Sequence, residues 1–189
     1  MKFRSQPLNQ LSPTEFDILL HEKDVFELRW NKRSPTLRFR CQAIKRGGKK
    51  LVTDKMTRLT WQQSGSPGPV TYRDAEKYIR DLNKKKFAGF KNWRLPTLDE
   101  AMSLLRPSRG DTNLYIDPAF DPTQQWIWTW DESDSGAAWV VTYRAGCCYV
   151  PVDSHYYVRA VRGEFWYPGD DAFEEDDPWS ELIFSRILL

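Results

Sequence analysis

Few side chains in this sequence can do chemistry, and their spacing limits what that chemistry can be. The chain carries three cysteines, Cys41, Cys147 and Cys148, and two histidines, His21 and His155. A hydrolytic nucleophile needs a thiol or hydroxyl beside a basic partner, usually histidine. His21 falls on a predicted helix far along the chain from Cys147 and Cys148, whereas His155 follows them closely. That closeness makes His155 the one Cys/His metal or nucleophile pairing the sequence offers. Three thiols cannot build a four-thiolate zinc site or the disulfide framework of a small secreted protein, and a bond between adjacent cysteines is strained. The acidic run Asp131, Glu132 and Asp134 is the remaining candidate for a hard cation, and it reads more simply as an exposed acidic turn. We therefore expect free thiols, no catalytic residues, no metal and no cofactor.

The elements that must position any site are legible from their starts. Ser12-Pro13-Thr14-Glu15 is a capping box with proline at the first helical position, and the spacing predicts a helix over 13–23 with Phe16, Leu19 and Leu20 inward. Thr71-x-x-Asp74 opens a second helix, in which Ala75, Tyr78, Ile79 and Leu82 form an apolar stripe. Thr97-x-x-Glu100 opens a third, with Leu98, Ala101, Met102 and Leu105 inward and Pro107 as its stop. Runs rich in β-branched and aromatic residues predict strands at 36–44, 50–53, 58–62, 126–130, 138–144, 147–152 and 156–161. The last four follow one another closely and read as an antiparallel meander. Helices early and strands late argue for an α+β fold rather than a doubly wound sheet.

Length and composition narrow the class. With 189 residues, 40% hydrophobic and 29% charged, the sequence suits one domain with end extensions, divided as 1–50, 51–163 and 164–189. No apolar run is long enough to cross a membrane, and the first ten residues lead into no apolar segment of a secretory signal, so a cytoplasmic protein is expected. Net charge of +2 hides an asymmetry: residues 164–189 hold eight acids against Arg186 alone, while residues 29–58 hold eleven Lys or Arg against Asp54. Opposite charge on one tether predicts that the C-terminal segment, apolar from Trp179 to Leu189 after a helix start at Asp177-Pro178, packs back over the basic stretch. Nucleic acid is not the expected partner, because the sequence carries no recognised DNA- or RNA-binding signature.

Three sequence blocks are more specific. Asp54-x-x-Thr57-x-Leu59-x-Trp61, then Trp93-Arg-Leu-Pro-Thr-x-x-Glu100, then Val158-Arg-x-Val-Arg162 occur in that order. Read physically, Arg94 needs a carboxylate if it is to be buried, Asp54 and Thr57 close a turn, and Arg159 and Arg162 brace loops. With Thr71 to Tyr78, Trp128-Thr-Trp-Asp131 and Ala138-Trp-Val-Val141 between them, these blocks resemble the Lcl C-terminal domain family over residues 51–163. That bacterial family is named after a collagen-like protein and is largely of unknown function. The resemblance implies a C-type lectin-like fold of the branch that includes formylglycine-generating enzymes, with a small twisted antiparallel sheet, two main helices and long irregular loops. It also implies what is missing. The copper-dependent oxidase of that branch uses a spaced pair of cysteines, which Cys147-Cys148 does not reproduce, and the calcium-dependent sugar motifs of C-type lectins do not occur. Related domains are fused to bacterial Ser/Thr kinases, which leaves a regulatory or structural subunit of a signalling assembly as the alternative role.

Twenty-four consecutive positions, Val140 to Gly163, contain no Lys, Glu, Gln, Met or Trp, the residues that codons ending in a pyrimidine cannot encode. Variable proteins of diversity-generating retroelements share this lectin-like branch and are diversified in a C-terminal stretch, so the gap marks residues 143–156 as the expected binding surface. Its members are Tyr143, Arg144, Cys147, Cys148, Tyr149, Asp153, Ser154, His155 and Tyr156, flanked by Trp128 and Trp130. Aromatic anchors interspersed with short polar groups suit a protein or other macromolecular ligand.

Overall fold

The computed structural model describes residues 3–23, 25–32, 41–55, 57–151 and 154–163. The C-terminal segment 164–189, the first part of the strand expected at 36–44, and Asp153 therefore lie outside the described residues. Among the described residues three α-helices, α1 (Pro13–Glu22), α2 (Tyr72–Lys84) and α3 (Leu98–Ser103), combine with seven strands in an α+β architecture. Strands β1 (Cys41–Arg46), β2 (Lys49–Asp54), β3 (Leu59–Gln62) and β7 (Val161–Arg162) form one antiparallel sheet in that order. Strands β4 (Trp126–Glu132), β5 (Ala138–Thr142) and β6 (Cys147–Tyr149) form a second.

Two expectations change. There are two sheets, and the fourth strand of the expected meander leaves it. Residues 156–161 bridge Val70 and Ile127 through Tyr156 and Tyr157, then cross to pair Val161 with Trp61 in the first sheet. Gly65 permits the close approach of the crossing segment, because any side chain there would strike the carbonyl oxygen of Val158. The third helix also ends at Ser103, before Pro107, because Leu104 and Leu105 donate to Ala101 and Met102 three residues back and tighten the last turn.

The helix starts behave as their residues dictate. Ser12 accepts from the Glu15 amide while Glu15 accepts from the Ser12 amide, closing the capping box of α1. Thr71 accepts from Asp74 at the start of α2. The Thr97 amide donates to Glu100 at 2.9 Å at the start of α3.

Burial then sorts the strands. Alternation along β4 and β5 sends Ile127, Trp139 and Val141 into a main core with Leu98, Ala101 and Met102 of α3. Phe3, Leu11, Phe16, Leu20 and Phe26 enter the same core, so these residues from before β1 are part of one hydrophobic body. Ala75 and Leu82 of α2 seat on smaller clusters beside each sheet, with Trp128 and Val140 at one end and Leu51, Trp93 and Ala160 at the other.

The three sequence blocks meet in space. Arg94 and Val161 exchange backbone hydrogen bonds at 2.9 and 3.0 Å, joining the central block to the last, and β3 carries the first block alongside β7. Asp54 accepts from the Thr57 hydroxyl at 2.8 Å and from the Arg58 amide, closing the turn the sequence implies. Arg94 finds its carboxylate: its two terminal guanidinium nitrogens, Nη1 and Nη2, donate to Glu100 at 2.6 Å, with the Glu100 side chain 1% exposed.

This pair predicts a specific double-mutant cycle. Glu100→Gln retains an acceptor for the Thr97 amide but strands the Arg94 charge, and should cost about 3 kcal/mol by urea unfolding. Adding Arg94→Met should recover a large part of that loss. If the double variant is as unstable as the sum of the two single changes, the pair is not coupled.

Candidate functional site

The outer face of the second sheet is built by alternation. Trp126, Trp128 and Trp130 point away from the main core, and register places Trp128 beside Val140 and Val140 beside Tyr149. Trp128 is 4% exposed and forms the floor. Its ring meets Tyr156 edge-on at 4.9 Å between centroids and Tyr72 at 5.4 Å, and its indole N–H donates to the Val70 carbonyl at 2.9 Å. Tyr156 is held there by paired backbone bonds with Val70, and Tyr157 by a bond to Trp126. Tyr149 lies 6.2 Å from Tyr156, and their hydroxyls hydrogen-bond at 3.1 Å, with Tyr149 as donor. Around the floor, Tyr72, Trp126, Trp130, Tyr149 and Tyr156 are half-buried, so each presents part of a ring to solvent.

Burial raises the Tyr72 phenol above its ordinary range, and the charges of Glu132 and Glu76 add to this. Burial and then the Tyr156 hydroxyl do the same for Tyr149. At neutral pH both are therefore neutral donors on an apolar surface. Such groups combine contact area with a single directed hydrogen bond, which suits recognition rather than acid–base work.

The structure gathers only part of the expected site. Trp128, Trp130, Tyr149 and Tyr156 come together. Tyr143 does not: it is fully buried in the main core, where its hydroxyl donates to the Ala101 carbonyl at 3.1 Å. Cys148 is fully buried beside it in that core, and Cys147 is 8% exposed, so neither thiol offers surface. Arg144 is exposed in the turn between β5 and β6, where its carbonyl accepts from Arg109. His155 is exposed and Ser154 half-buried. A Cys148–His155 site is excluded by this placement, since one residue is in the core and the other in solvent. Burial raises all three thiols, Cys41 to about 12 with help from Asp117, and Cys148 well above its ordinary value. They are thiols at neutral pH, not nucleophilic thiolates.

Sequence reading missed Trp126 and Tyr72. Trp126 was accessible through the period-two spacing of the three tryptophans. Tyr72 was not, because only tertiary packing brings the first turn of α2 to the second sheet.

The other candidates resolve as architecture. Asp131, read as part of an exposed acidic turn or a cation site, is fully buried. It accepts two bonds from the Arg4 guanidinium at 2.9 Å and the amides of Leu8 and Leu98 at 2.5 Å, so its lone pairs are used. Glu132 is half-buried and Asp134 exposed. Among the described residues no group of three or more His, Cys, Asp or Glu is placed to hold a metal ion, and no helix is long and apolar enough to cross a membrane. Arg162 braces a loop through Asn92 at 2.9 Å. Arg159 is fully buried, donates to the Asp121 carbonyl at 2.9 Å and lies over the Phe120 ring; burial lowers its pKa to about 10.

Two outcomes test this division. Tyr143→Ala should destabilise the protein by about 3–5 kcal/mol, whereas Tyr156→Ala should cost about 1–2 kcal/mol, as judged by denaturant unfolding. Equal losses would mean that Tyr156 belongs to the core. Alkylation of the native protein at neutral pH should spare Cys148 while denatured protein takes up three labels, read by mass spectrometry of peptides; rapid native labelling of Cys148 would contradict its burial.

No curated protein and no solved structure shows significant similarity to the chain. A family profile does match: that of the Lcl C-terminal domain, over residues 50–162. The match runs from the start of β2 to the end of β7 and contains the Arg94–Glu100 pair, the crossing at Gly65 and the whole aromatic face. On that match the chain belongs to the Lcl C-terminal domain family.

Proposed function

We propose that this domain is a non-enzymatic binding module, and that it takes its ligand or protein partner on the outer face of β4–β5–β6. The observation that carries the reading is the ring of half-buried aromatics, Tyr72, Trp126, Trp130, Tyr149 and Tyr156, around a fully packed Trp128 floor. A rigid floor removes the entropy cost of ordering the contact residues, and rings exposed at one edge supply area that gains from being covered. This surface overlaps the stretch 143–156 through Tyr149 and Tyr156 and extends beyond it to β4 and α2. A C-type lectin-like fold, in which loops and a small sheet display such a surface, is the architecture we favour for it. Part of the composition of residues 140–163 has a simpler source: Val140 to Tyr143, Cys147, Cys148 and Val158 to Arg162 are buried, and Lys is seldom found in such places.

The nine tryptophans provide the test. In full-length protein labelled with 5-fluorotryptophan, fluorine spectra assigned by single Trp→Phe variants should be followed during titration with a library of saccharide and aromatic fragments. Fragments that bind should move the Trp126 and Trp130 resonances and leave those of Trp61 and Trp93, both in the core, in place. Binding fragments that consistently shift other tryptophans and spare these two would place the contact surface elsewhere.

A further inference from the structure

Away from the aromatic face, the fold assembles a second surface from two segments distant in sequence. The tip of the β1–β2 hairpin, Arg46-Gly-Gly-Lys49, leans against the loop that follows α2. The Arg46 guanidinium lies 4.3 Å from the centre of the Phe90 ring, and the Lys49 ammonium 5.8 Å from that of Phe87. From the other edge of the same sheet, the Arg162 guanidinium lies 3.7 Å from the Phe90 ring. Lys84, Lys85, Lys86 and Lys91, all exposed, flank the two phenylalanines. Neither 42–53 nor 82–98 contains an acidic residue, and among the described residues none of these lysines, nor Lys49, forms an ion pair. Tertiary structure thus sets two aromatics from a distant segment among these bases.

One acidic segment starts beside this surface. Gly163 follows Arg162 directly, and the 26 residues after it hold eight acids and one arginine. Tethering at the rim gives such a segment an effective concentration of about a millimolar without any new contact. We infer that the Phe87–Phe90 basic surface is a docking site occupied in cis by residues 164–189 of this chain. The site differs from the basic stretch 29–58 as read in sequence: Arg29 is drawn away to the buried Glu27 and to the Cys148 carbonyl, while Lys84 to Lys86, Lys91 and Arg162 are added.

Carbodiimide coupling in the full-length protein tests this, because it joins a carboxylate to a lysine only on contact. At low ionic strength, links from the acids of 164–181 should reach Lys49, Lys84 to Lys86 and Lys91 severalfold more often than Lys55. Lys55 is exposed and near the same exit, since Gly163 packs on Leu59, the pairing partner of Asp54, so it controls for tethering alone. The preference should fall severalfold in molar salt, and the links to Lys49 and Lys91 should fall likewise in K84Q/K85Q/K86Q, a triple variant of exposed residues whose thermal melt should match that of the parent. Equal coupling to Lys55 and the basic surface would overturn the proposal. So would links that join light and nitrogen-15 chains in a mixed sample, which would make the contact intermolecular.

Discussion

Three carboxylates that solvent barely reaches, Asp99, Glu100 and Asp131, converge on the first turn of α3, and the rest of the fold is arranged so that none is left unpaired. An isolated buried carboxylate costs several kcal/mol, and removing one partner of a buried pair costs nearly as much as losing a core side chain. Arg4 answers two of them, donating to Asp131 at 2.9 Å and approaching Asp99 at 3.0 Å. Burial works against the Arg4 charge, but the hydrogen bond to Asp131 and the charge of Asp99 outweigh it and raise its pKa. Arg94 answers the third. The helix contributes its own amide at Leu98, so Asp131, from a strand in the second sheet, caps α3 from outside.

The aromatic face follows from this constraint. Asp131 must point inward to reach Arg4 and Leu98, and the Trp130 amide donates to the Pro96 carbonyl at 2.7 Å, which pins the strand against the turn before α3. With one position of β4 committed inward, period two commits Trp126, Trp128 and Trp130 outward. The main core and the aromatic face are therefore two consequences of one register. The irregularity between Trp128 and Glu132 absorbs the mismatch with β5 without moving Asp131 from its partners.

Residues before the family-matched region are equally bound into this arrangement. Phe16 stacks on Trp139 at 4.9 Å, and the Leu11 amide donates to the Glu132 carbonyl. Glu27 is fully buried, where it accepts from the amides of Arg29, Trp30 and Cys148. A carboxylate so placed ties the 27–31 turn to β6 through the Cys148 amide. Residues 50–162 thus match the family, while the hydrophobic body they belong to begins at Phe3.

Local chemistry made the helix starts, the α2 stripe and the Asp54–Thr57 turn legible in the sequence, because each depends on residues within a few positions of one another. The need of Arg94 for a carboxylate was legible too, and its partner lay six residues away in the same block. What the sequence could not place was anything set by the crossing of 156–161 between the sheets. Period two told which residues of β5 and β6 alternate, but not which face was core, so Tyr143 and Cys148 read as surface although both belong to the main core. The same limit hid the Phe87–Phe90 basic surface and the role of Asp131. Both depend on contacts between residues tens of positions apart, and charge or aromaticity at one position carries no information about which distant segment the fold will bring to it.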